Sequence, residues 1–103
     1  MAAIDLTTLN WSNGGATKKI TSIGASTIQE IKIPKWCKLV TVKAESQAIV
    51  FGYDGVDGAG KTGDEFPQPV DSIIQYNPQQ TAEERSIFVA SQTGTANLYL
   101  IFE

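Results

Sequence analysis

The chain has no histidine. That removes the imidazole base on which Ser-His-Asp and Cys-His nucleophile pairs depend. It has one cysteine, Cys37, so an intrachain disulfide and a multi-thiolate metal site are both excluded. Charged residues are 18% of the 103 and the net charge is −3. Such a balance argues against direct binding to nucleic-acid phosphates. No apolar run reaches the roughly 18 residues of a membrane-spanning helix, so no membrane segment is expected. A basic-then-apolar secretory signal is also missing from the N-terminus. Helical periodicity is absent too; only residues 79–85 favour a helix, and they are long enough for a turn alone.

What is present favours strands. Apolar residues make up 42% of the chain, enough for one domain with a single core. Thr, Ile and Val are abundant, and branching at Cβ suits them to a pleated surface. Residues 4–11 alternate loosely, with Ile4 and Leu6 on one face and Leu9 and Trp11 on the other. Asn13-Gly14-Gly15 is a turn signal, because Asn and Gly tolerate positive φ, and residues 18–23 are expected to return as the partner of a first hairpin. In residues 27–33, Gln29, Ile31 and Ile33 share one face while Ile28, Glu30 and Lys32 take the other. Pro34 ends that strand. Residues 39–44 and 47–53 follow as strands, and the brief Glu45-Ser46 between them implies a tight antiparallel connection. Residues 72–76 and 86–90 are further strands. Gln92-Thr93-Gly94-Thr95 then turns the chain into a last strand, 96–102, with Leu98, Leu100 and Phe102 on one face. The sum is seven or eight short strands with turn signals every eight to twelve residues, an antiparallel all-β sandwich or jelly roll in a single domain, 1–103. One long Gly/Pro-rich loop, about residues 54–69, interrupts it.

That loop holds the sharpest motif. Gly55-Val56-Asp57-Gly58-Ala59-Gly60-Lys61-Thr62 satisfies G-x-x-x-x-G-K-[ST], the phosphate-binding pattern, after the apolar run Ala48-Ile49-Val50-Phe51. The chemistry of such a loop needs a helix directly after the Lys-Thr, with its N-terminus on the phosphates. Gly63, Pro67 and Pro69 oppose a helix there, and Asp64 and Glu65 repel a triphosphate. Nucleotide binding through 55–62 is thus a remote alternative. Asp54 and Glu65 have the spacing of the first and twelfth positions of a calcium loop, but Val56 and Gly58 stand where side-chain oxygens belong. Asp54, Asp57 and Asp64 on a glycine-rich loop are a poor frame for paired-carboxylate catalysis. The expectation is no enzyme, no metal and no cofactor, with a loop that reaches toward a neighbouring subunit.

Charge is segregated along the chain. Residues 17–44 hold Lys18, Lys19, Lys32, Lys35, Lys38 and Lys43 against Glu30, a balance of +5, whereas residues 45–103 hold nine carboxylates against Lys61 and Arg85, a balance of −7. This fits either a solvated surface or complementary patches of a head-to-tail interface. Cys37 reads as a buried thiol at a strand start. Phe51, Phe88 and Phe102 sit among aliphatics and read as core; Tyr76 and Tyr99 fit either an inward or an outward role. Trp36, between Lys35 and Lys38 just after a proline, is either core or a partner-facing anchor, since Trp is enriched at interface centres. The candidate partner contacts are Trp36, Lys35, Lys38, Tyr53, Asp57, Lys61 and Phe66.

Two stretches carry a resemblance: Ile31-Lys32-Ile33-Pro34-Lys35-Trp36-Cys37-Lys38-Leu39-Val40-Thr41-Val42, and the terminal Ile87-Phe88-Val89-Ala90-Ser91-Gln92-Thr93-Gly94-Thr95-Ala96-Asn97-Leu98-Tyr99-Leu100-Ile101-Phe102. They resemble the small jelly-roll structural proteins of tailed bacteriophages, capsid decoration or cement proteins in particular. The resemblance implies a non-enzymatic virion subunit, assembled in the host cytoplasm, homotrimeric and in contact with the major capsid protein or another virion protein. The alternative it leaves is a tail, neck or spike component with a receptor- or glycan-binding role.

Overall fold

The computed structural model describes residues 3–9, 15–26, 28–53, 65–78 and 85–103. Among these residues nine strands follow one another: β1 (Ile4–Asp5), β2 (Ala16–Ile23), β3 (Gln29–Ile33), β4 (Val40–Glu45), β5 (Ile49–Gly52), β6 (Phe66–Gln68), β7 (Ile73–Tyr76), β8 (Arg85–Ser91) and β9 (Ala96–Phe102). Among the described residues there is no helix. The strands form two sheets, one of five in the order β1-β3-β8-β5-β6 and one of four in the order β2-β9-β4-β7. The protein is all-β and sandwich-like.

The pairing is nested. β2 pairs with β9, β3 with β8, β4 with β7 and β5 with β6, each antiparallel. Two further antiparallel pairs, β4 with β9 and β5 with β8, complete the sheets. β1 is the exception, a two-residue parallel addition in which Ile4 faces Ile31.

Side-chain alternation orients each strand. Gln29, Ile31 and Ile33 of β3 are buried, as are Val40, Val42 and Ala44 of β4 and Leu98, Leu100 and Phe102 of β9. The apolar ones among them join Ile49, Phe51, Ile87 and Val89 in one core shared by both sheets. Burying a side chain such as Leu98 or Ile31 contributes about 1.5–3 kcal/mol. Phe51 and Phe102 belong to the core, whereas Phe88 faces outward and is half-buried.

Several connections differ from the sequence expectation, with one physical cause. Residues 4–5 and 18–23 do not pair as a hairpin: β1 joins β3, and β2 joins β9 in the other sheet. The short links after β4 and β8 are not hairpin turns either, because β4 and β5, and likewise β8 and β9, lie in different sheets. Ser46 with φ 74° and Gly94 with φ 61° let the chain cross from one sheet to the other within a few residues. A short polar link marks a reversal but says nothing of which sheet the chain reverses into. The expected loop over 54–69 is shorter at its far end, since Phe66–Gln68 pairs with β5 through Phe51 opposite Phe66. Pro67 is tolerated there because β6 is an edge strand. Residues 54–64 and 79–84 lie outside the described residues.

Candidate interaction surface

Arg85, at the start of β8, ties the segment after β3 to the segment after β7. Its guanidinium donates to the carbonyls of Cys37 at 2.7 Å, Pro34 at 3.0 Å, Lys35 at 3.3 Å and Pro78 at 3.3 Å. The planar fork suits several carbonyls at once, which a lysine ammonium matches poorly. Beside it, a groove of about 430 Å³ is lined by Tyr53, Asn77, Pro78, Arg85 and Ser86.

An aromatic cluster continues from this groove toward the β5–β7 flank. Phe51 and Tyr76 stack across the two sheets with centroids 3.7 Å apart and planes 8° from parallel. Tyr53 meets Phe51 edge-on at 5.4 Å, and Phe66 meets Tyr76 edge-on at 6.5 Å. Tyr53 and Phe66, at 49% and 56% exposure, carry the cluster to the surface. Val70 and Ile73 are exposed close by in sequence, so among the described residues four of the five exposed large hydrophobic ones belong to β5–β7 and their connections.

Behind the cluster sits a buried polar bridge. Gln68 is fully buried; its Nε2 donates to Val42 O at 2.7 Å and Ser72 O at 3.2 Å, and its Oε1 accepts from the Tyr76 hydroxyl at 2.9 Å. Burial pushes Tyr76 up to about 12, so its phenol stays a donor at neutral pH. Burial raises Tyr53 as well.

The candidate residues from sequence divide as follows. Lys35 and Lys38 are exposed on the link between β3 and β4. Trp36, on the same link, packs on the core, and its indole N–H donates to Leu9 O at 3.1 Å. Tyr53 and Phe66 join the aromatic cluster. Asp57 and Lys61 lie outside the described residues. Cys37 is buried, its thiol donates to Leu39 O at 3.3 Å, and burial pushes it above the ordinary thiol range, which keeps it protonated and unreactive. The phosphate-loop motif 55–62 also falls outside the described residues, but its surroundings do not. Only residues 63–65 separate Thr62 from β6, which pairs antiparallel with β5.

A second surface rests on register. On the outer face of the four-stranded sheet, Tyr99 stands between Lys19 and Lys43, whose Nζ atoms lie 5.0 and 6.0 Å from its ring centroid. The hydrogen bond to Tyr99 holds the Lys19 ammonium above its ordinary value. Glu45 accepts from the Tyr99 hydroxyl and the Asn97 amide, each at 3.4 Å. Alternation within β9 signals that Tyr99 points outward; its lysine neighbours come from distant strands and follow only from pairing.

No family model, curated protein or solved structure matches the chain.

Proposed function

We propose that the chain is a jelly-roll structural subunit, a decoration or cement protein on the head of a tailed phage. The observation that carries this reading is the nested pairing, β2 with β9 inward to β5 with β6. Such an order arises when one long hairpin is wound around a core. Its distribution as β2-β9-β4-β7 and β3-β8-β5-β6 is what an eight-stranded jelly roll requires, with β1 added at one edge. Shell domains and lectins both use that architecture, and fold alone does not choose between them. The resemblance of residues 31–42 and 87–102 to phage decoration proteins favours the shell. Tyr53, Phe66, Val70 and Ile73 supply exposed apolar area for partners, the kind of surface that marks an interaction site when it is contiguous. Three copies per unit follow from the same resemblance.

The test is affinity purification of the tagged chain from cells producing the particle, with mass spectrometry of what comes with it. The major capsid protein should dominate; its absence from repeated preparations, with no other virion protein in its place, would sink the reading. The groove under Tyr53 favours a second reading, a tail or spike component that binds glycans. An aromatic ring beside Asn77, Arg85 and Ser86 offers the stacking and polar groups that a sugar needs. Glycan-array binding abolished by Tyr53→Ala would support this second reading over the first.

A further inference from the structure

The two sheets end in four edges: β2 and β7 on the four-stranded sheet, β1 and β6 on the five-stranded one. An unpaired edge presents a row of N–H and C=O groups that invites another strand, and proteins guard such edges with charge, proline, bulges or brevity. Three of these edges are guarded. β1 is two residues long. β6 contains Pro67, which has no N–H to offer. β2 places Lys18 on the inner side, opposite buried Leu100, and its register breaks between Ile20 and Ile23. β7 has none of these devices. Ile73-Ile74-Gln75-Tyr76 carries no charge and no proline, and its register against β4 is unbroken. Among the described residues no strand covers its outer edge, and Ile73, at 65%, is the most exposed of the large hydrophobic residues described.

We propose that β7 pairs with β7 of a second copy, antiparallel about a two-fold axis, so that two four-stranded sheets continue as one of eight. The guards select the occupant. A head-to-tail contact by strand addition would bring β7 against β1, β2 or β6 of the next copy, and each of those edges resists pairing. The edge open to β7 is another β7, which makes the contact isologous. Electrostatics agree: the strand is uncharged, so no like charges meet across the axis. Antiparallel pairing sets Asp71, two residues before β7, toward the Asn77 end of the partner's strand and away from the partner's own copy of that aspartate. The pairing rests on the reading of this chain as an assembling subunit, and it replaces the three-fold arrangement implied by the resemblance with an even-numbered unit.

Sedimentation and native mass spectrometry on the full chain, at concentrations up to the order of 100 µM, test it with two variants. Wild type should be a dimer with slow amide exchange in β7. Ile73→Lys places charge on the paired edge and should raise the dimer dissociation constant at least about tenfold. Ile101→Lys, exposed on interior strand β9 of the same sheet, should leave it unchanged. Circular dichroism shows whether the Ile73→Lys monomer remains folded, and Gln75→Lys serves in its place if it does not. A dimer or trimer indifferent to charge on β7 overturns the pairing and leaves the assembly reading standing. A wild-type monomer whose β7 amides exchange freely overturns both.

Discussion

At the scale of single residues, the polar groups inside this sandwich carry the sharpest expectations. Gln68 joins the two sheets by three hydrogen bonds. Gln68→Leu keeps the volume but takes the Gln68 partner from the Tyr76 hydroxyl and the Val42 carbonyl, while the Ser72 carbonyl keeps the Ala44 N–H at 3.3 Å. Each lost bond that strands a buried group costs about 1–3 kcal/mol, so urea unfolding should show a loss of at least about 2 kcal/mol. Tyr76→Phe removes one donor and should cost about 1 kcal/mol. The same substitution reports on pH. Tyr76 is raised from its ordinary 10 to about 12 in the folded chain by burial. The unfolded state therefore ionises first as pH rises, and the stability tied to this group is whole below pH 10 and lost on the way to about 12. Unfolding followed over that window should show a shallower decline in Tyr76→Phe than in wild type. Equal slopes would mean that the phenol is solvated. Arg85→Lys keeps the charge and loses the fork over four carbonyls; about 2 kcal/mol of destabilisation is expected.

At the scale of elements, what was legible in the sequence and what was not separate cleanly. The faces of β3, β4 and β9 could be read because burial on one side of a strand imposes period two, as Gln29-Ile31-Ile33 and Leu98-Leu100-Phe102 display. The partners could not be read, because a turn signal is a local property of backbone conformation whereas sheet membership depends on packing. Thus Asn13-Gly14-Gly15 suggested a hairpin, and yet β2 lies against β9 at the far end of the chain. The candidate surface divides the same way: Tyr53 and Phe66 stood out as aromatics beside the long loop, while the clamp formed by Arg85 and the ladder of Lys19, Tyr99 and Lys43 needed the register. Gly94 tests the crossing links. Its φ of 61° is one that a side chain resists, so Gly94→Ala should cost about 1 kcal/mol in thermal unfolding. A neutral result would show that the crossing from β8 to β9 relaxes without strain.

For the whole molecule, nested pairing implies an order of assembly. The loop closed by pairing β2 with β9 is roughly five times longer than the one closed by β5 with β6, a difference of about 1.5 kcal/mol in closure entropy. Starting at the innermost pair is cheaper, and each later pair then closes only the short segments added on either side. We predict folding on the millisecond-to-second scale typical of non-local β topologies, with the transition state concentrated around β5, β6 and β8. Conservative truncations can decide this. Phe51→Leu, in the inner pair and the aromatic stack, should mainly slow folding, whereas Phe102→Leu, in the outer pair, should mainly speed unfolding. The opposite assignment in stopped-flow measurements would place the nucleus at the chain ends, where β9 occupies an interior position in the four-stranded sheet. Burial of Leu98, Leu100 and Phe102 would then outweigh the entropy of closing the longer loop.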